Sequence, residues 1–82
     1  MQDKTEVYSI DEINDGNTNL ILNEVYKSLS EKGYDAVSQM VGYLMSGDPG
    51  YISSYQNARS KITSIDRSLI LEFLLKKGLG LK

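Results

Sequence analysis

Along the first seventeen residues apolar side chains are sparse: Val7, Tyr8, Ile10 and Ile13 stand among charges and give way to Asn14-Asp15-Gly16-Asn17. That much apolar surface does not offset the entropy of ordering a backbone, so residues 1–17 are expected to form a mobile tail. From Thr18 or Asn19, either of which can cap exposed amides, the pattern changes. Leu20, Ile21, Leu22, Val25, Tyr26 and Leu29 recur at helical spacing, while Glu24, Lys27, Ser28, Glu31 and Lys32 fall mostly on the other side. Gly33 supplies the left-handed residue that ends such a helix. Asp35 is placed to cap a second helix, with Ala36, Val37, Met40, Val41, Leu44 and Met45 as its apolar stripe and Gly47 at its end. Gly42 inside that helix costs up to about 1 kcal/mol relative to alanine, which points to another backbone packing close to it.

Ser46-Gly47-Asp48-Pro49-Gly50 is dense turn chemistry, and Pro49 keeps Asp48 out of the helical region. Tyr51, Ile52 and Tyr55 follow as a short apolar patch. A third helix is predicted from Tyr55 or Gln56 to Ile65, with Ala58, Ile62 and Ile65 inward and Arg59, Lys61, Thr63 and Ser64 outward. Asp66 is placed to cap a fourth, in which Leu69, Ile70, Phe73 and Leu74 make one stripe and Leu71 and Leu75 widen it. Gly78 and Gly80 end the order and leave residues 78–82 as a disordered C-terminus. Neither strand-length alternation nor an internal repeat occurs. The fold class is all-α: a compact bundle of about four short helices spanning residues 18–77.

At 82 residues there is room for one domain. Such a chain buries only about 60–65% of the surface its unfolded form exposes, and it is marginal alone. Cysteine and histidine are both absent. Disulfides, thiolate zinc sites, and every mechanism built on a histidine base are therefore excluded. Oligomerisation is the remaining remedy. The wide stripe on the last helix agrees, since one side serves its own domain and the other a symmetry mate. A homodimer is expected, with Tyr43, Tyr51, Leu71, Phe73 and Leu74 as core or dimer contacts.

Candidate chemistry is thin. Asp11, Glu12 and Asp15 lack the alternating ligands and turn glycine of a calcium loop, and Gly47-Asp48-Pro49-Gly50 cannot cradle a phosphate because Asp48 repels it and Pro49 has no amide to donate. No metal, cofactor or catalytic residue is expected, and the chain is not read as an enzyme. The N-terminus lacks the layout of a signal peptide, and no apolar run approaches the ~20 residues that span a bilayer. A cytoplasmic setting is expected.

Charge is uneven. Residues 1–15 carry one cation against five acids, net −4, and residues 59–82 carry six cations against two acids, net +4. Tyr43, Tyr51 and Tyr55 beside Arg59 and Lys61 leave nucleic-acid binding as the alternative reading, against a sequence pI near 4.9. In the acidic leader, Thr5, Ser9 and Thr18 offer hydroxyls to a Ser/Thr kinase.

One set of blocks is more specific. Glu31-Lys32-Gly33-Tyr34, the run Gln39-Met40-Val41-Gly42-Tyr43-Leu44-Met45-Ser46-Gly47-Asp48-Pro49-Gly50-Tyr51-Ile52, and Asn57-Ala58-Arg59 follow one another at fixed separations. Over residues 18–77 the chain resembles the IreB/ReoM family of small regulatory phosphoproteins of Gram-positive bacteria, whose leader element is matched by Asp3-Lys4-Thr5. The resemblance implies a non-enzymatic helical homodimer, phosphorylated by a membrane-bound PASTA-type Ser/Thr kinase and dephosphorylated by a PP2C-type phosphatase. It further implies control of peptidoglycan synthesis and antibiotic tolerance, in part of the family through proteolysis of a biosynthetic enzyme. Thr5 would be the phosphoacceptor, with Ser9 a weaker second. Arg59, Lys61 and Arg67 would form a partner-binding face, which a phosphorylated tail would mask or whose partner it would repel. The chain departs from the family at Ser53-Ser54-Tyr55, where relatives carry Pro-Arg-His, at Thr63-Ser64, where they carry two cations, and at Asp66, where they carry Glu.

Overall fold

The longest element is α1, Ile10–Glu31, a helix of 22 residues and about 33 Å. After it come α2 (Ala36–Ser46), two single 3-10 turns (Pro49–Tyr51 and Tyr55–Asn57), α3 (Ala58–Thr63) and α4 (Arg67–Leu79). This computed structural model describes residues 10–81, and among them there is no strand, so the chain is all-α with four helices. α1 is the spine: α2, α3 and α4 all pack against it.

The expected start of the first helix at Thr18 or Asn19 is corrected by eight or nine residues. Residues 10–17, placed by the sequence in a mobile tail, form the first turns of α1; residues 1–9 lie outside the described residues. The Asn-Asp-Gly-Asn run is a poor helix former, but tertiary contact overrides weak propensity. Asn14 and Asp15 are partly buried, Asp15 forms an ion pair with α4, and Thr18 is 2% exposed in mid-helix rather than capping an end. Order also runs further at the other terminus. Gly78 is helical, and α4 closes at Gly80 in a left-handed conformation (φ 72°), with the Leu81 amide donating to the Lys76 carbonyl at 2.7 Å.

The core is a column of side chains from every element. α1 contributes Leu22, Val25 and Leu29, a 3-and-4 spacing that keeps one edge of the helix inward. Ala36 and Tyr43 face them from α2, Ile52 from the connection, Ala58 and Ile62 from α3, and Ile70 and Phe73 from α4. Ile65 completes the cluster. The predicted inward set of α3 is thus found in place. Two predicted stripes are not: Leu20 and Tyr26 on α1, and Val37, Val41 and Met45 on α2, are exposed. α2 meets the core through one edge, Ala36 to Tyr43, which turns its most apolar edge to solvent.

Local punctuation follows the sequence closely. The Asp35 carboxylate accepts from the Ser38 amide at 3.1 Å and caps α2. Gly33 (φ 91°) and Gly47 (φ 76°) take the left-handed conformations that end α1 and α2. Asp66 occupies the cap position of α4, yet its side chain makes no capping bond. The third helix is shorter than predicted because Gln56 and Asn57 both have positive φ (51° and 63°), which breaks the run before Ala58.

Gly42 is the tightest position. No backbone lies on it; the neighbour is the Tyr51 ring, whose Cδ1 would stand 2.4 Å from a Cβ added there. Gly42→Ala is expected to cost about 1–2 kcal/mol of stability from ring displacement, although alanine is the better helix former. Urea unfolding should show the loss in the wild-type background and its disappearance in a Tyr51→Ala background, where the clash is gone.

Candidate functional site

The signature run around Gly47-Asp48-Pro49-Gly50 builds one compact connection between α2 and α3. Gly47 turns the chain out of α2, its amide donating to the Tyr43 carbonyl at 2.7 Å. Asp48 is extended (φ −90°, ψ 110°), and its carboxylate accepts from the Gly50 amide at 2.8 Å. Pro49 opens the 3-10 turn, Tyr51 lays its ring on Gly42, and Ile52 drops into the core with no exposure. Asn57 takes a left-handed conformation, which Asn and Asp tolerate better than most residues. Ala58 is fully buried, with no room for a larger side chain to point outward.

Arg59 and Arg67, expected to form a partner-binding face, hold this connection from two sides. The Arg59 Nε–H donates to the Ile52 carbonyl at 2.8 Å and to the Pro49 carbonyl at 3.1 Å. Arg67 reaches across from the start of α4, its Nη1–H donating to the Leu44 carbonyl at 3.0 Å while its guanidinium covers Gly47. Lys61 is turned to α1, where its ammonium lies 3.6 Å from the Glu24 carboxylate. All three cations thus have partners within the chain's own body, and Arg59 and Arg67 remain exposed. Their first task is to satisfy backbone oxygens and one acid of the chain's own body.

The predicted core or dimer contacts divide in two. Tyr43 and Phe73 are buried within the chain (5% exposed each). Tyr51, Leu71 and Leu74 are not core residues here: they are 51%, 44% and 42% exposed. Leu71 shares the outer side of α4 with the exposed Leu75 and Leu79, opposite Ile70 and Phe73, while Leu74 stands at the edge between the two sides. Beside this face, α1, α2 and α4 enclose an open groove of about 330 Å³, lined by Leu22, Tyr26, Val37, Val41, Phe73 and Leu74 among others. Sequence reasoning placed Val37 and Val41 in the core and so missed the groove.

A second recess, of about 240 Å³, lies where α1 passes the end of α4. The Lys76 ammonium stands 2.9 Å from the Asp15 carboxylate, and the Lys77 ammonium lies 5.6 Å from the centre of the Phe73 ring. Nothing in the sequence pairs Asp15 with Lys76, because the first was read as tail. Thr5 and Ser9 lie outside the described residues, and Thr18 is buried and closed to a kinase. Among the described residues no group of three or more acids is placed to hold a metal ion, and no helix is long and apolar enough to cross a membrane.

If the arginines hold the connection, their loss is felt in folding before any partner is added. Arg59→Gln and Arg67→Gln are each expected to lower stability by about 1 kcal/mol, the lower end for hydrogen bonds to charged groups because both sites are solvent-accessible. Thermal unfolding of the isolated protein measures this; unchanged melting would leave the two side chains to partner binding alone.

The connection lies inside a stretch that a known family's model matches. A family model described as IreB regulatory phosphoprotein matches residues 3–80. That match runs through the leader, all four helices and the cap of α4, and the chain belongs to the IreB family of regulatory phosphoproteins.

Proposed function

We propose that this protein is a non-enzymatic regulator that acts in the cytoplasm as a homodimer, its state set by phosphorylation of Thr5 by a PASTA-type Ser/Thr kinase and reversed by a PP2C-type phosphatase. In the forward step the Thr5 hydroxyl oxygen attacks the γ-phosphorus of ATP, ADP leaves, and the hydroxyl proton passes to the kinase. The output is contact with a downstream protein that governs peptidoglycan synthesis and antibiotic tolerance, through proteolysis machinery in one version. The observation that carries the reading is the family match through residues 3–80, which includes Thr5.

The body supports an adaptor more than a catalyst. Its most distinctive surface is apolar: Leu71, Leu75 and Leu79 recur every fourth residue along α4 and are 44%, 63% and 67% exposed. A contiguous face of this kind on a small chain marks an interaction site. A second copy is the fitting partner, since a marginal domain gains stability from whatever covers that face. The alternative reading, nucleic-acid binding, has less to rest on: Lys61 is paired with Glu24, and Arg59 and Arg67 each give one N–H to carbonyl oxygens.

Two measurements test the reading. Mass spectrometry after co-expression with the kinase should find one phosphate on the wild type and none on Thr5→Ala; undiminished phosphate in the variant would move the acceptor to Ser9. Analytical ultracentrifugation should find a dimer for the wild type. The double variant Leu71→Glu/Leu75→Glu should dissociate at least about tenfold more readily, since two charges would be buried unpaired. A wild type that sediments as a monomer at micromolar concentration would refute the dimer.

A further inference from the structure

Phosphorylation needs a receiver for the new charge, and the structure narrows where that receiver lies. The Asp15–Lys76 ion pair fixes a lysine close to the root of the N-terminal segment: Asp15 is five residues into α1, about 7.5 Å along its axis from Ile10. Thr5 lies five residues before Ile10, and a fully extended stretch of that length reaches about 17 Å. Doubling back along α1, it passes Lys76 with slack. Lys61 is a poorer target for the same segment. It is tied to Glu24, about 21 Å along α1 from Ile10 and so beyond the roughly 17 Å of that stretch. Arg59 and Arg67 each already give one N–H to carbonyls at the α2–α3 connection, so a phosphate drawn there would pull on bonds that hold the body.

We infer that, once Thr5 carries a phosphoryl group, the N-terminal segment of the same chain folds back into the recess between α1 and the end of α4, with the phosphate held by Lys76 and Lys77. This deepens the proposed function and rests on Thr5 as the modified residue. The recess is lined by Asp15, Asn19, Phe73 and Leu81 as well as the two lysines. Its anion, Asp15, is the competitor. A phosphate of charge −1.5 to −2 attracts an ammonium more strongly than one carboxylate does, and it gains Lys77 besides. Asn19 and Phe73 line both this recess and the apolar groove. Val7 and Tyr8, next to Thr5 in sequence, thereby have an apolar wall to settle against. Docking costs little entropy of association, since donor and acceptor share one chain.

The test uses full-length protein with phosphothreonine incorporated at position 5 during synthesis, so that it does not depend on any kinase. Phosphorus NMR should show the phosphate's second ionisation at lower pH than in a peptide of residues 1–9 bearing the same group, because the lysines favour the dianion. Amide shifts at residues 14–19 and 73–81 should change with phosphorylation. Lys76→Gln/Lys77→Gln should return the titration to the peptide's value. Since that change also breaks the ion pair with α1, Asp15→Asn serves as the second variant. It keeps both cations, removes the competing carboxylate, and should lower the phosphate's ionisation further. A phosphate that titrates like the peptide in the wild type overturns the inference, as does one that responds to Arg59→Gln or Arg67→Gln but not to the lysine pair. Neither result bears on which hydroxyl a kinase modifies, which the mass-spectrometric experiment decides separately.

Discussion

Everything in this molecule hangs on satisfying the backbone of the α2–α3 connection while its apolar residues are pressed into the core. Ile52 is fully buried, so the chain around it is held close to the core and its carbonyls need donors set at fixed places. A sheet would solve this with a ladder; an all-helical chain must find side chains. Arg59 and Arg67 supply them, three carbonyl oxygens between two guanidiniums. The bonds also tie the start of α3 and the start of α4 to the end of α2 and the turn that follows it. The guanidinium fork suits this work because it keeps its charge at any physiological pH and donates along several directions.

That constraint explains why a stretch without catalytic chemistry has such a specific sequence. Gly42 is there for the Tyr51 ring, Gly47 for a left-handed turn beneath Arg67, Asp48 for the Gly50 amide, and Asn57 for a second left-handed step before a fully buried Ala58. Each residue type answers a local geometric demand. The Arg59 of the Asn-Ala-Arg triplet then closes the loop by returning to Pro49 and Ile52. The residues expected to touch a partner, Arg59 and Arg67, are thus among those that shape the body.

The helices of the body were legible because their signals are local. Asp35, Gly33 and Gly47 act within a few residues, and Leu22, Val25 and Leu29 announce themselves by spacing. The misreadings share a different cause: each depended on a partner distant in sequence. The first turns of α1 look like tail until Asp15 is set beside Lys76, 61 positions away. Val37 and Val41 look like core because apolar spacing cannot distinguish a helix edge packed on its own domain from one left facing a groove. Gln56 gave no sign of a left-handed conformation. It is held by the buried Ser28 hydroxyl, which donates to its side-chain oxygen at 2.8 Å, and by its amide donating to Glu31 at 3.3 Å.

A division of labour follows from where the free surface lies. The cations near the core are spent on the fold, so a regulatory signal that arrives as negative charge finds little to change there without loosening the body. The ends of α1 and α4 are different. Among the described residues they meet through the Asp15–Lys76 ion pair, they carry the root of the N-terminal segment that holds Thr5, and they border the apolar groove and the outer leucines of α4. A charge added at that junction acts on weakly held elements next to the most adhesive surface of the molecule. Small electrostatic energies can therefore redirect contacts there, whereas at the α2–α3 connection the same energies would be set against the stability of the whole domain.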